Sequence, residues 1–271
     1  MEWLTEPFSQ LFMQRALAAA MLAAVATALV GTWVVLRGLT FMGDALAHGV
    51  LPGIALGVLW GFDLTLGAAI SALVMVVGIN AVHRRSRLNE DAGIGLLFVG
   101  MLAIGVVIIS RTSSYSGSLT DILFGDALGA TTTDLITLGV ALAIVGAVTV
   151  VFYRSFLVLS FNDQKAEMLE LHPRLAHIVM LSLITVAVVA SFETVGTLLV
   201  FGLLVAPPAT ASLLVRRVPA MMGVAGLLGM MSVVMGLLVS WHADTAASAT
   251  MAAVAVMLFF LVLLVRPNAS T

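Results

Sequence analysis

Nine apolar runs, each near the length needed to cross a bilayer, follow one another along this chain: roughly 16–36, 39–60, 63–82, 92–110, 134–153, 175–191, 195–215, 220–240 and 246–265. A hydrocarbon core of about 30 Å takes about 20 helical residues to span. Inside lipid every backbone N–H and C=O must be satisfied within the segment, which leaves the helix as the form such runs adopt. The chain is 61% apolar and 10% charged, against about 25% charged residues in an ordinary soluble domain. The expected fold is an all-α, polytopic transmembrane bundle over 1–271, with about nine spans and eight or ten also compatible with the pattern. The connections are mostly short, and none is long enough for a soluble domain.

Basic residues fix the expected orientation, because they concentrate on the cytoplasmic side. With the N-terminus outside and nine alternating spans, the inner side receives Arg37, Arg84, Arg85, Arg87, Arg154, Lys165, Arg174, Arg216, Arg217 and Arg266, and the outer side only Arg15 and Arg111. The C-terminus is then cytoplasmic. The opening segment MEWLTEPFSQ is acidic and lacks the basic start of a cleaved signal peptide. A net charge of −2 gives no reason to expect a nucleic-acid partner, and the absence of cysteine excludes disulfides and thiolate metal sites.

Two connections carry pattern. The outer one, 111–133, begins polar and then turns apolar around Ile122–Leu128, which predicts a short helix at the outer surface. The inner one, 160–173, reads SFNDQKAEMLELHP. Ser160 or Asn162 could cap a short helix there that Pro173 follows, with Phe161, Ala166, Leu169 and Met168 on one broad face. Such a helix can lie along the inner surface and be gripped by a cytosolic partner, or be a plain interfacial loop.

Ionisable residues within a span are costly and mark a pathway or binding site by default. Asp44 and His48 are spaced i, i+4, so both side chains leave one helical face. About ten residues into its run, His48 lies about 15 Å deep, near the bilayer midplane. A carboxylate and an imidazole there make half of a divalent-metal site. The same pair could instead neutralise itself between two helices, or relay a proton. Neighbouring Gly49, Pro52 and Gly53 would let the helix break or let others approach closely.

Further metal candidates are weaker. Glu193 falls at an outer turn, where a solvated carboxylate is the plainer reading. His242 and Asp244 fall at another outer turn and could capture a cation near the pathway mouth, or belong to an interfacial loop. Glu90 and Asp91 suit the N-terminal end of a helix dipole. His83, His172 and His177 show no ligand spacing. Pro207 and Pro208 interrupt an apolar run, either as a static kink or to free carbonyls toward a pathway. No G-x-x-x-x-G-K-[ST] loop occurs, so ATP hydrolysis by this chain is not expected, and no H-E-x-x-H or G-x-S-x-G motif suggests an embedded hydrolase.

The stretch Gly31-Thr32-Trp33-Val34-Val35-Leu36-Arg37, running into Met42-Gly43-Asp44-Ala45-Leu46-Ala47-His48-Gly49-Val50-Leu51-Pro52-Gly53, resembles the early signature of bacterial ABC-type manganese/zinc/iron permeases. Glu90-Asp91-Ala92-Gly93-Ile94-Gly95, Phe124-Gly125-Asp126-Ala127-Leu128-Gly129, and Val195-Gly196-Thr197-Leu198-Leu199-Val200 leading to Ala206-Pro207-Pro208-Ala209-Thr210-Ala211 keep the family's order. The resemblance runs from about residue 10 to 266. It implies a permease subunit in the bacterial inner membrane, working as a homodimer and importing a divalent transition metal. A separate cytosolic ATPase would dock at a coupling helix falling on 160–173, through residues such as Asn162, Lys165, Glu167, Leu169 and Glu170. An extracytoplasmic metal-binding protein would deliver the cargo.

The family's Asp and His carry over to Asp44 and His48, whereas Glu193 stands where the family often has a neutral residue. Two such pairs, one from each copy, make an N/O ligand set that suits zinc or manganese better than copper(I), with a slight preference for zinc on tetrahedral grounds. The methionines, scattered over apolar faces, read as packing. The rival reading from another class is a stand-alone, proton-coupled secondary carrier. A membrane-embedded enzyme is a third, and lacks a nucleophile–base pair.

Overall fold

The computed structural model describes residues 6–85, 90–109, 127–161 and 172–265. Ten α-helices lie among them: α1 Leu11–Arg37, α2 Thr40–Gly49, α3 Leu51–Trp60, α4 Leu64–Arg85, α5 Glu90–Ile109, α6 Thr132–Phe161, α7 Pro173–Val195, α8 Thr197–Leu214, α9 Val218–Ala243 and α10 Ala247–Val265. No strand occurs among the described residues. Helix occupies each of the nine expected runs, but seven helices are individually long and apolar enough to cross a membrane: α1, α5, α6, α7, α8, α9 and α10. The apolar part of α4, Leu66–Val82, is shorter. The run expected at 39–60 is divided at Val50 into α2 and α3, ten residues each.

The division has a local cause. Pro52 has no N–H to continue the ladder, and the Gly53 and Ile54 N–H groups both turn to the Val50 carbonyl at 3.1 Å.

Helix α1 is the core of the bundle and packs against α6, α7, α8 and α9. Its buried face is built on Ala16, Ala19, Ala20, Ala23, Ala24 and Ala28, and small side chains let neighbouring helices approach closely where lipid supplies no hydrophobic drive to association. Helix α10 closes one side against α8 and α9, while α3 lies between α4 and α5. The opposite faces are apolar and exposed, as on α6 at Ile136, Val140, Ile144, Val150 and Val151. A water-soluble protein rarely shows patches of that extent, so these are lipid-facing surfaces.

Several expectations about connections change. Helix α6 reaches Phe161, eight residues beyond the expected 153. Ser160 is therefore inside it rather than at the expected cap position, and its hydroxyl donates to the Phe156 carbonyl at 2.8 Å. Asn162 and the rest of 162–171 lie outside the described residues, as does the apolar stretch from Ile122 to Asp126; what is described of that connection is a single 3-10 turn, Ala127–Gly129. Pro207 and Pro208 sit within a continuous α8, both buried. Their rings leave the Leu203 and Leu204 carbonyls without helical donors. The Leu204 carbonyl, with the Pro208 ring, lies against Gly31 of α1, so close that a Cβ on that glycine would collide with it. At this carbonyl the proline pair serves close packing of α8 on α1.

A candidate metal-pathway site

The site begins at the end of α1. Gly38 takes φ 70°, ψ 22°, the left-handed conformation that glycine adopts without penalty. The Leu39 N–H returns to the Val34 carbonyl at 2.9 Å, closing α1 with a glycine cap. Only Gly38 and Leu39 separate α1 from α2, so α2 is held at a fixed angle from the core helix.

Gly43 of α2 meets the Leu204 side chain of α8; a Cβ there would overlap its Cδ2 and stand 3.5 Å from Phe201 Cδ2. The next residue is Asp44. One turn on, His48 Nε2 stands 3.4 Å from Asp44 Oδ1, as the i, i+4 spacing predicts. The side chains retain 35% (Asp44) and 21% (His48) exposure. Ionisable side chains within membrane spans almost always face a bundle interior or an aqueous cavity. The ring of Phe98, on α5, lies 5.7 Å from the imidazole centroid at 53° and restrains its rotation. The sequence reading did not single out Phe98; one phenylalanine among many in apolar runs gives no signal of its own.

Chemically the pair presents a carboxyl oxygen and an imidazole nitrogen 3.4 Å apart. Among the described residues no third His, Asp or Glu joins them, nor does any other group of three gather. His242 and Asp244 are exposed at the far end of α9. His242 Nδ1 donates to its own helix at the Leu238 carbonyl, 2.8 Å. Asp244 takes φ 49° and caps the helix, its N–H on Ser240. Glu193 lies in the last turn of α7 rather than in a connection; its side chain is outside the described residues. Asn162, Lys165, Glu167, Leu169 and Glu170 all fall outside the described residues.

Membrane-length helices packed around α1, with a broken helix beside them that carries a partly exposed Asp–His pair, fit a multi-pass membrane permease. The chain belongs to the ABC 3 transport family, whose model matches residues 9–266. It is similar to the manganese transport system membrane protein MntC of Listeria innocua, 35% identical over 258 residues, 95% of this chain and 91% of that protein. The chelated iron transport system membrane protein YfeD of Yersinia pestis is also 35% identical, over 263 residues, 97% of this chain and 88% of that one. Among solved structures, PsaBC from Streptococcus pneumoniae in complex with Fab superposes with a TM-score of 0.86 at 28% identity, covering 98% of this chain and 96% of that chain.

Proposed function

We propose that this chain, acting over 1–271 as one membrane unit, is the permease subunit of an inner-membrane ABC importer for a divalent transition metal. Manganese is the first cargo to test. The observation that carries the reading is the Asp44–His48 pair: a hard carboxylate oxygen and a borderline imidazole nitrogen, 3.4 Å apart on one helical face, beside a helix break. A pair supplies too few ligands for a bound ion, so the remainder come from a second copy of the chain, backbone oxygens or water. A carboxylate with an imidazole accepts manganese, iron or zinc. The manganese and iron in the relatives' names move the preference from zinc to manganese.

In this reading Asp44 and His48 replace part of the ion's water shell at mid-membrane. A separate cytosolic ATPase grips 160–173 and moves the helices around the site, and an extracytoplasmic binding protein supplies the ion. The N-terminus lies outside and the C-terminus inside. Glu193, His242 and Asp244 remain candidate contacts on the outer approach.

The test is cellular metal content under manganese or zinc limitation, in intact cells, cells lacking the chain, and cells carrying His48→Ala at matched expression. A fall in one metal in both altered strains identifies the cargo and places His48 on its path. No change in any metal overturns metal import. Co-purification of an ATPase, lost in Leu169→Asp or Glu170→Arg, supports the coupling segment. Full transport by the chain alone in liposomes supports the proton-coupled carrier instead.

A further inference from the structure

Ser71 lies on α4, which packs on both halves of the broken helix. Its side chain is buried, and its hydroxyl donates to the Gly49 carbonyl at 2.7 Å. That carbonyl is open to it because of the break. The Gly53 N–H, which would reach Gly49 in an unbroken helix, turns to Val50 instead. In the hydrocarbon region a carbonyl without a donor is costly.

The surroundings leave little play. The backbones of Gly53 and Gly67 touch so closely that a Cβ on either would collide with the other's carbonyl. A Cβ on Gly49 would stand 3.7 Å from the Met75 Cβ. Gly67, Ser71 and Met75, at i, i+4 and i+8, form one face of α4 seated on the break. Any small residue at 71 would satisfy the packing. Only a donor satisfies the carbonyl, and that carbonyl belongs to the residue after His48.

We propose that Ser71 is a positioning residue of the metal pathway: by holding the Gly49 carbonyl it fixes the end of α2, and with it the orientation of His48 and Asp44. The proposal rests on the metal reading above.

The test is Mn²⁺ binding to the full chain in lipid nanodiscs, with unbound ion read by its EPR signal. Ser71→Ala is expected to bind about tenfold more weakly, the scale of one lost hydrogen bond. The chain has no cysteine of its own, and the Gly49–Met75 separation suits a disulfide, whose Cβ atoms stand about 3.8 Å apart. Adding Gly49→Cys and Met75→Cys to Ser71→Ala therefore replaces the hydrogen bond by a covalent tie. Oxidation should restore binding to within about twofold of the unaltered chain, and reduction should remove the gain. Should Ser71→Ala alone fail to fold, the cross-linked triple variant, compared oxidised and reduced, reads the same difference.

A structural role for Ser71 alone would lower the melting temperature and leave Mn²⁺ affinity unchanged, which overturns the proposal. So does weakened binding that the oxidised tie does not restore. If the unaltered chain binds no Mn²⁺, the metal reading itself fails and takes this proposal with it; binding that is tight and insensitive to Ser71→Ala sinks only the proposal.

Discussion

The carbonyl of Leu204 occupies the place where a side chain on Gly31 would have to be. The carbonyl lacks a helical donor because Pro208 follows four residues later, and it is received by the bare Cα of α1. Leu204 also reaches the other way, its side chain filling the space above Gly43, next to Asp44. One residue thus sets the spacing of α1, α2 and α8 around the Asp–His pair.

Gly31→Ala is expected to destabilise the folded chain by about 1–3 kcal/mol, the usual scale of overpacking. Backbone must yield here, because the obstacle is a carbonyl and the Pro208 ring, not the tip of a flexible side chain. Gly100→Ala is the matched control: nothing stands within 4 Å of a Cβ there, and alanine is the better helix former by about 1 kcal/mol. Thermal unfolding in detergent should show a fall of several degrees for the first and none for the second. Equal melting temperatures would contradict the close approach.

If Asp44 and His48 hold the ion as proposed, Phe98→Ala should weaken metal binding while leaving both of them in place. Its ring stands 5.7 Å from that of His48, and aromatic pairs contribute about 0.5–1.5 kcal/mol beyond burial. A free imidazole must be ordered by the ion itself, so a twofold to tenfold rise in Kd for Mn²⁺ is expected, on the order of that contact energy. Phe98→Tyr keeps the ring and should retain most of the affinity. Titration of the two variants side by side checks it, and unchanged affinity in Phe98→Ala would assign the ring to packing alone.

The fold class and the Asp44–His48 face were legible because both depend on local spacing: apolar length for the helices, i, i+4 for the pair. The break at Val50 was also foreshadowed by Gly49, Pro52 and Gly53. What joins the break to the rest was not. The G-x-x-x-G of Gly49–Gly53 and the G-x-x-x-S of Gly67–Ser71 are each readable as close-approach surfaces, but nothing in one chain says which meets which. For the same reason Phe98, Leu204 and Arg37 gave no sign of their partners; their contacts run between helices far apart in sequence. Pro207 and Pro208 marked a lost donor correctly, while where the freed Leu204 carbonyl points depends on Gly31, over 170 residues earlier. Helix ends were misplaced most where a helix runs longer than a bilayer needs, as in the 30-residue α6 ending at Phe161.

The start of α6 rests on a reciprocal cap. Thr131 N–H and hydroxyl both bond Asp134 Oδ2 at 2.8 Å, and the Asp134 N–H returns to Thr131 Oγ1 at 3.3 Å. Losing such a cap costs about 0.5–2 kcal/mol. Thr131→Ala should therefore fray the first turn of α6, seen as faster amide exchange over 132–136 with the rest of the helix unchanged. Exchange as slow as in the unaltered chain would show that packing alone holds this end.

Arg37 closes the C-terminal end of α1 and extends to α6, where Nη1 donates to the Leu159 carbonyl at 3.3 Å. A cation is favoured there, because the last carbonyls of α6 carry the negative end of its dipole. One turn earlier in α1, Trp33 packs edge-on against Tyr153 and Phe156 at 5.7 and 5.6 Å, so the two helices are tied near their C-terminal ends. Beyond Phe161 the chain enters the segment proposed to meet the ATPase, and beyond Arg37 two residues lead into α2. In the proposed function, Arg37 is the contact through which motion of the α6 end would pass toward Asp44. Arg37→Ala is expected to leave Mn²⁺ affinity within about twofold while ATP-driven uptake in proteoliposomes falls about tenfold, the scale of a lost charged hydrogen bond. Arg37→Lys keeps the charge but not the reach of the guanidinium and should recover part of the loss. Uptake that survives Arg37→Ala would place the transmission elsewhere; uptake and affinity falling together would make Arg37 a support of the site instead of a link to the ATPase.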